Sequence, residues 1–128
     1  MFQLKAESLI VSATHSNYNM KEYLWNKLGM IYEVDNSHPS LLTHASNPLA
    51  MPISEDVYRI FYSGRDSENR SSISYVDYDF DQMRIVNDYR QPIVEPKNNT
   101  FYSHGITIGN YWKRNDDFYI GFMGWQQN

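Results

Sequence analysis

The sequence has no cysteine among its 128 residues, which excludes disulfide bonds and thiolate metal sites. Its 11 Lys and Arg are interspersed with 15 Asp and Glu, giving a net charge of -4, and they form no basic stripe of the kind that nucleic-acid binding requires. No apolar run approaches the roughly 18 residues of a membrane span. We therefore expect neither a nucleic-acid partner nor a membrane partner.

Several other signals are also missing. The first residues, Met1 to Glu7, do not join a basic segment to an apolar one, so they are unlike a secretory signal and we expect a cytoplasmic location. The chain has no Gly-rich phosphate loop, no Gly-x-Ser-x-Gly and no zinc signature. We therefore expect no cofactor and no metal.

What the sequence does contain is a repeat. Residues 43–64 align with residues 103–124 without a gap, sixty positions apart. The identical pairs are His44 and His104, Asp56 and Asp116, Ile60 and Ile120, and Gly64 and Gly124. Strand-like content with a period near sixty predicts sheets repeated around an axis, one sheet per repeat. Each copy would begin its first strand with a hydroxyl followed by an imidazole.

Apolar alternation and turn residues predict the strands. The first unit has four, at residues 45–53, 57–62, 71–80 and 83–87, and the second has two, at 105–113 and 118–125. The segment 90–100 is an extended linker because of its prolines. Residues 1–24, with a short strand at 8–13, are either a lead-in or a strand that pairs with another sheet. Residues 25–128 form a partial propeller domain, with another short strand ending at Tyr32. No amphipathic helix is evident, so the predicted class is all-β.

The sequence from Trp25 to Trp125 resembles a known superfamily. The segments that carry the resemblance are Trp25-Asn-Lys-Leu-Gly-Met-Ile-Tyr32, Thr43-His-Ala-Ser-Asn-Pro48, the stretch from Tyr58 to Asp77, residues 101–106 and Gly121-Phe-Met-Gly-Trp125. They are similar to glycosidase-related five-bladed β-propeller proteins, the superfamily of glycoside hydrolase family forty-three and the β-fructosidases. The most similar members are associated with bacterial surface-polysaccharide biosynthesis. The chain would cover one complete four-stranded blade and part of a second.

The resemblance implies a pocket at the starts of the innermost strands, faced by both His44 and His104. Family enzymes draw three carboxylates from different blades. This sequence departs from them because His44 stands where an aspartate is expected, and Phe101-Tyr-Ser-His104 replaces Phe-Asp-Asp. An Arg-Asp pair such as Arg65-Asp66 contacts substrate in related enzymes.

The candidate catalytic residue is therefore Asp66, held ionised by arginine to stabilise charge on the sugar; the alternative is an Arg-Asp turn that closes a hairpin. The candidate substrate-binding residues are His44, Arg65, Arg70, His104 and Trp125. The imidazoles would contact sugar hydroxyls or serve as a base, or else tie strands together. Trp125 would stack on a sugar ring or pack between blades.

Three hypotheses follow from these residues. The chain is a glycosidase-related protein that acts on or binds a bacterial polysaccharide or its precursor. Alternatively, it is a non-catalytic carbohydrate-binding or scaffold module. The third hypothesis is a truncated propeller that self-associates, since a half-blade leaves an open sheet edge through which homo-oligomers form.

Overall fold

The computed structural model of the chain describes residues 27–127. The chain divides into two compact units, which are Met1–Ile31 and Tyr32–Asn128. Within the first unit, residues 27–31 form neither strand nor helix. The prediction of a short strand ending at Tyr32 is therefore wrong over residues 27–32. Gly29 interrupts the apolar residues there with a φ of 96°, which is not an extended backbone. The expected strand at 8–13 lies outside the described residues.

Six strands make up the second unit. They are β1 (Thr43–Pro52), β2 (Val57–Arg65), β3 (Ser71–Asp79), β4 (Arg84–Asp88), β5 (Gly105–Arg114) and β6 (Asp117–Trp125). Residues 27–127 contain no helix, so the all-β prediction is confirmed for them. Nor do they contain a helix long and apolar enough to cross a membrane.

All six strands belong to one sheet. The first four form an antiparallel meander in chain order, and β5 and β6 form an antiparallel hairpin. A single parallel bridge, from Ser71 in β3 to Gly105 in β5, joins the hairpin to the meander. Since β1 and β5 both run in the direction of β3, the two hairpins begin at the same end of the sheet.

The central strands β2 and β3 are buried on both faces, as their nearly continuous apolar and small residues predict. Their register pairs Val57 with Asp79 and Arg65 with Ser71 without a break. One face carries Phe61 and Ile73, and these pack against Ile106 and Ile108 of β5 in a shared core. The hairpin therefore covers one face of the meander near the end where both hairpins begin.

Turn residues account for the way the strands connect. A two-residue loop, Asn115 and Asp116, joins β5 to β6, and Asn115 adopts a φ of 55°, as such tight hairpin loops require. Between β3 and β4, the carboxylate of Asp79 accepts a hydrogen bond of 2.8 Å from the amide of Gln82. The expected linker at 90–100 is not wholly free of the sheet, because Val94 bridges to Ile73.

The sixty-residue repeat is visible in the packing. Gly64 ends the first copy, and a Cβ there would lie 2.6 Å from Leu41 Cδ2; Gly124 ends the second, and a Cβ there would lie 2.5 Å from Tyr102 Cβ. Each glycine thus makes room for a side chain that precedes its own hairpin. The repeated glycine is a packing requirement of both hairpins.

Candidate functional site

A row of paired residues crosses one end of the sheet. Thr43 pairs with Arg65, Arg65 with Ser71, Ser71 with Gly105, and Gly105 with Trp125. We call these five residues the end row. At about 4.8 Å per strand spacing, the row is roughly 19 Å long if laid flat.

The structure brings the six expected site residues to this end row. Arg65 and Trp125 belong to it, and each of the other four is adjacent in sequence to a member. Those four are His44, Asp66, Arg70 and His104. Sequence proximity alone does not bring them together, because they span more than eighty positions of the chain; the strand register does.

Asp66 is occupied by the turn between β2 and β3. Its Oδ1 accepts hydrogen bonds from the amides of Glu68 (2.9 Å) and Arg70 (2.8 Å), and its Oδ2 accepts one of 2.8 Å from Arg70 Nε. The hydrogen bond that Arg70 donates to Asp66 raises the pKa of the Arg70 guanidinium. The side chain of Asp66 therefore closes the hairpin, as one of the two sequence-based interpretations expected.

Arg65 precedes Asp66 in the sequence, but its side chain does not bind the carboxylate of Asp66. Its backbone carbonyl accepts a hydrogen bond of 2.9 Å from the amide of Leu42. Arg65 as a residue is half-buried at the end of β2, and its guanidinium has no hydrogen-bond or ion-pair partner among residues 27–127. Asp66 and Glu68 both contact Arg70 instead.

Trp125 lies over a glycine. A Cβ on Gly105 would stand 2.3 Å from Trp125 Cζ2 and 2.7 Å from Ser71 Oγ, so the indole rests on the backbone of its own cross-strand partner. This is the packing by which an aromatic residue covers a strand glycine. The side chain nevertheless stays 41% exposed, which leaves part of the indole open to a ligand.

The two histidines differ in their surroundings. His44 is exposed, has a φ of 65°, and its Nδ1 lies 2.8 Å from Thr43 Oγ1, so the hydroxyl and the imidazole share a hydrogen bond. A left-handed backbone at a non-glycine residue accompanies the bulge that interrupts β1 at this point. His104 is half-buried, and its amide donates a hydrogen bond of 2.9 Å to the carbonyl of Trp125. The predicted hydroxyl and imidazole pair is therefore in contact in the first copy.

The first strands of the two copies touch at equivalent positions. Asn47 Nδ2 donates a hydrogen bond of 3.1 Å to Thr107 Oγ1, and these residues are sixty positions apart. Thr107 Oγ1 also lies 2.8 Å from Ser63 Oγ in the buried interior. Because His44 and His104 each stand three residues before this contact on strands that run in the same direction, both histidines lie at the end-row side of it.

An ion pair that the sequence analysis did not predict joins β2 and β3, away from the end row. Arg59 donates to both carboxylate oxygens of Asp77, at 2.8 and 3.1 Å, and Asn87 donates to Oδ2 at 3.0 Å. Burial opposes ionisation of Asp77, but these hydrogen bonds outweigh it and lower the pKa of its carboxyl. The Arg59 guanidinium also lies 3.9 Å from the ring centroid of Tyr75.

A second polar contact that the sequence analysis did not predict is made by the hydroxyl of Tyr32. Its hydroxyl lies 3.2 Å from that of Tyr62 and donates to Asp88 Oδ1 at 3.2 Å, and burial, followed by the hydrogen bond with Tyr62, raises its pKa. Neither contact has a local signal in the sequence: Arg59 meets Asp77 through the register of β2 and β3, and Tyr32 lies outside the strands.

Three carboxylates of the described residues, Asp66, Glu68 and Asp77, do not form an acid pair of the kind that hydrolysis uses. Asp77 stands six positions from Ser71 along β3, about 20 Å from the end row, which is far beyond the 5 to 9.5 Å that glycoside hydrolysis uses. Asp66 and Glu68 share one cation, because Arg70 Nε lies 2.8 Å from Asp66 Oδ2 and 3.3 Å from Glu68 Oε2. Residues 27–127 also contain no group of three His, Cys, Asp or Glu able to hold a metal ion.

The chain is similar to two uncharacterized proteins of Mycobacterium tuberculosis, MT1551 from strain CDC 1551 and Rv1502 from strain H37Rv. Each is 33% identical over 103 residues, which are 79% of this chain and 34% of the relative. The chain thus spans about a third of the length of these curated relatives. No family model matches the sequence. No solved structure matches it either.

Proposed function

We propose that this chain is part of a glycosidase-related β-propeller protein that binds a bacterial polysaccharide or its precursor at the end row. The observation that carries the proposal is that the strand register brings the six residues chosen for sugar chemistry to one end of one sheet. Trp125 offers an indole face to a sugar ring, and Arg65 and the histidines offer donors to its hydroxyls.

The propeller itself is supported by the repeat. One copy is a four-stranded meander, and β5, which starts the next copy, lies against β1 through the Asn47–Thr107 hydrogen bond. Blades of a propeller are four-stranded sheets arranged around a central axis. Because 103 residues make up 34% of each relative, a relative has about 300 residues, enough for about five repeats of sixty.

Binding is better supported than hydrolysis by these residues. The turn amides and Arg70 bind the carboxylate of Asp66, and the same Arg70 forms an ion pair with Glu68. Asp66 therefore holds the loop that presents Arg65. Hydrolysis by a longer protein would need carboxylates in addition to those that residues 27–127 place at the end row.

The experiment is a binding titration of the chain with fragments of bacterial surface polysaccharides, comparing Trp125→Ala with Trp112→Ala. Trp112 is a matched control, since it is an exposed tryptophan of the same hairpin, stacked on Tyr119 away from the end row. We expect Trp125→Ala to weaken binding at least tenfold and Trp112→Ala to leave it unchanged. Equal losses in both variants, or no binding by the parent chain, would refute the proposal.

Self-association is a second role, favoured by the contrast between equivalent residues of the two copies. Ile60 and Tyr62 are 8% and 2% exposed, whereas their equivalents Ile120 and Phe122 are 38% and 46% exposed. β2 is flanked by β1 and β3, but β6 has only β5 beside it among the described strands. An edge of this kind, apolar and without Lys or Pro, is open to strand pairing with a second copy.

Sedimentation velocity tests this second role. We expect a dimer that Ile120→Lys dissociates, because a charge on the edge opposes strand pairing. Val86→Lys changes an exposed apolar residue of β4, which is another edge strand; it is the control and leaves the dimer intact. A monomeric parent chain, or a dimer insensitive to Ile120→Lys, would overturn it.

A further inference from the structure

One arginine of the second unit stands apart from the others. Arg59 binds Asp77, Arg70 binds Asp66 and Glu68, and Arg90 binds Asp35 and Asp88. Arg84 donates to Gln82, and Arg114 is exposed at the tip of the β5–β6 hairpin. Arg65 is thus the one half-buried arginine whose side chain has no partner among residues 27–127. Partial burial of a cation without an anion is unfavourable, and a bound anion removes that penalty.

The strand register places this guanidinium near the exposed indole. Arg65 pairs with Ser71, and Ser71 pairs with Gly105, whose own partner is Trp125. Ser71 Oγ and Trp125 Cζ2 are each within 2.7 Å of the point that a Cβ on Gly105 would occupy, so they are at most about 5 Å apart. Directly paired residues keep their Cβ atoms about 5 Å apart on one face of the sheet. A guanidinium on Arg65 is therefore within a side-chain length of the indole.

The chemistry of this pair selects a ligand. The indole stacks on the apolar face of a sugar ring, and a guanidinium binds a carboxylate through two parallel hydrogen bonds. The acidic neighbours Asp66 and Glu68 do not compete for Arg65, because both contact Arg70.

We propose that Arg65 and Trp125, which occupy equivalent positions of the two repeats, form one subsite for a sugar ring that bears a carboxylate. The inference rests on the proposed carbohydrate binding and adds that the ligand is a hexuronate. Trp125 supplies affinity for the ring, and Arg65 supplies preference for the charged form.

Isothermal titration of the full chain with hexuronate trisaccharides and with their methyl esters tests this, because each pair differs only in charge. The trisaccharides are those of galacturonate, glucuronate and mannuronate. We expect at least one acid to bind about tenfold or more tightly than its ester. Arg65→Gln removes this preference, so that both forms bind with the affinity of the ester, and Arg65→Lys restores part of it.

Arg114→Gln is the matched control, since it makes the same change of charge at the far end of the hairpin and keeps the preference. Thermal unfolding verifies that Arg65→Gln is folded, which we expect because its guanidinium contacts no described acceptor. Equal binding of acids and esters by the parent, or a preference that survives in Arg65→Gln, overturns this inference and leaves carbohydrate binding intact. If neither acids nor esters bind and the polysaccharide titration also fails, both proposals are wrong.

Discussion

Replacing Gly105 by alanine tests the packing on which the site depends. The added Cβ would stand 2.3 and 2.4 Å from two atoms of the Trp125 indole and 2.7 Å from Ser71 Oγ. Contacts this short force the indole to move rather than the side chain of Ser71, because Trp125 is 41% exposed whereas Ser71 is buried. The substitution therefore displaces the surface that we assign to the sugar ring.

Overpacking of this kind costs about 1 to 3 kcal/mol. The hydrogen bond of 3.2 Å from Ser71 Oγ to the carbonyl of Ile106 is also disturbed, which adds about 1 kcal/mol at most. Since an exposed indole can move toward solvent, we expect a loss of about 1 to 2 kcal/mol in the free energy of unfolding, near the lower limit of the overpacking range.

The assay is urea unfolding of Gly105→Ala beside Gly109→Ala, followed by the polysaccharide titration. Gly109 lies in the same strand, is exposed, and a Cβ there would meet no atom closer than 3.6 Å, so it reports the general effect of alanine in β5. We expect lower stability and weaker saccharide binding for Gly105→Ala alone. If both variants match in stability and binding, the indole does not lie over Gly105 and the reasoning fails.

The remaining predictions concern the contacts that hold the fold. Asp77→Asn lowers the free energy of unfolding by about 2 kcal/mol, because a partly exposed Arg59 loses its charge-assisted bonds. A double-mutant cycle with Arg59→Met shows a coupling energy that a neutral contact would lack. The folded-state pKa of Asp77 is lowered, so its contribution to stability is full above the unfolded pKa of about 3.9 and is lost as pH falls through the folded value; acid unfolding that is unchanged in Asp77→Asn would contradict this. A double-mutant cycle between Asn47→Ala and Thr107→Ala gives a coupling of about 1 kcal/mol, and additive effects would mean that the two copies do not interact there.

Strand positions were predictable from the sequence, and the reason is local. All six strands expected for the two repeat units are present, with ends that differ by at most three residues, because apolar residues and turn formers such as Asn115 act over short distances. The exception is the segment before Tyr32, where apolar residues without alternation mark no strand.

Side-chain roles were less predictable, because they depend on register. Asp66 was correctly suspected of closing a turn, since its partners are within four residues. The pairing of Arg59 with Asp77 and the position of Trp125 over Gly105 depend on which residues face each other across strands. A shift of one residue in register would reverse the faces. The length and type of the loop set the register of a hairpin, so strand ends that are wrong by even one residue leave the facing residues undetermined.

The most direct test of the account is a nuclear magnetic resonance titration of the isotope-labelled chain with the polysaccharide fragments that it binds. We expect amide shift changes concentrated at the end row, which comprises Thr43, Arg65, Ser71, Gly105 and Trp125, and at the sequence neighbours of these residues. Changes concentrated instead at the opposite end of the sheet, around Asp56 and Asn115, would contradict it.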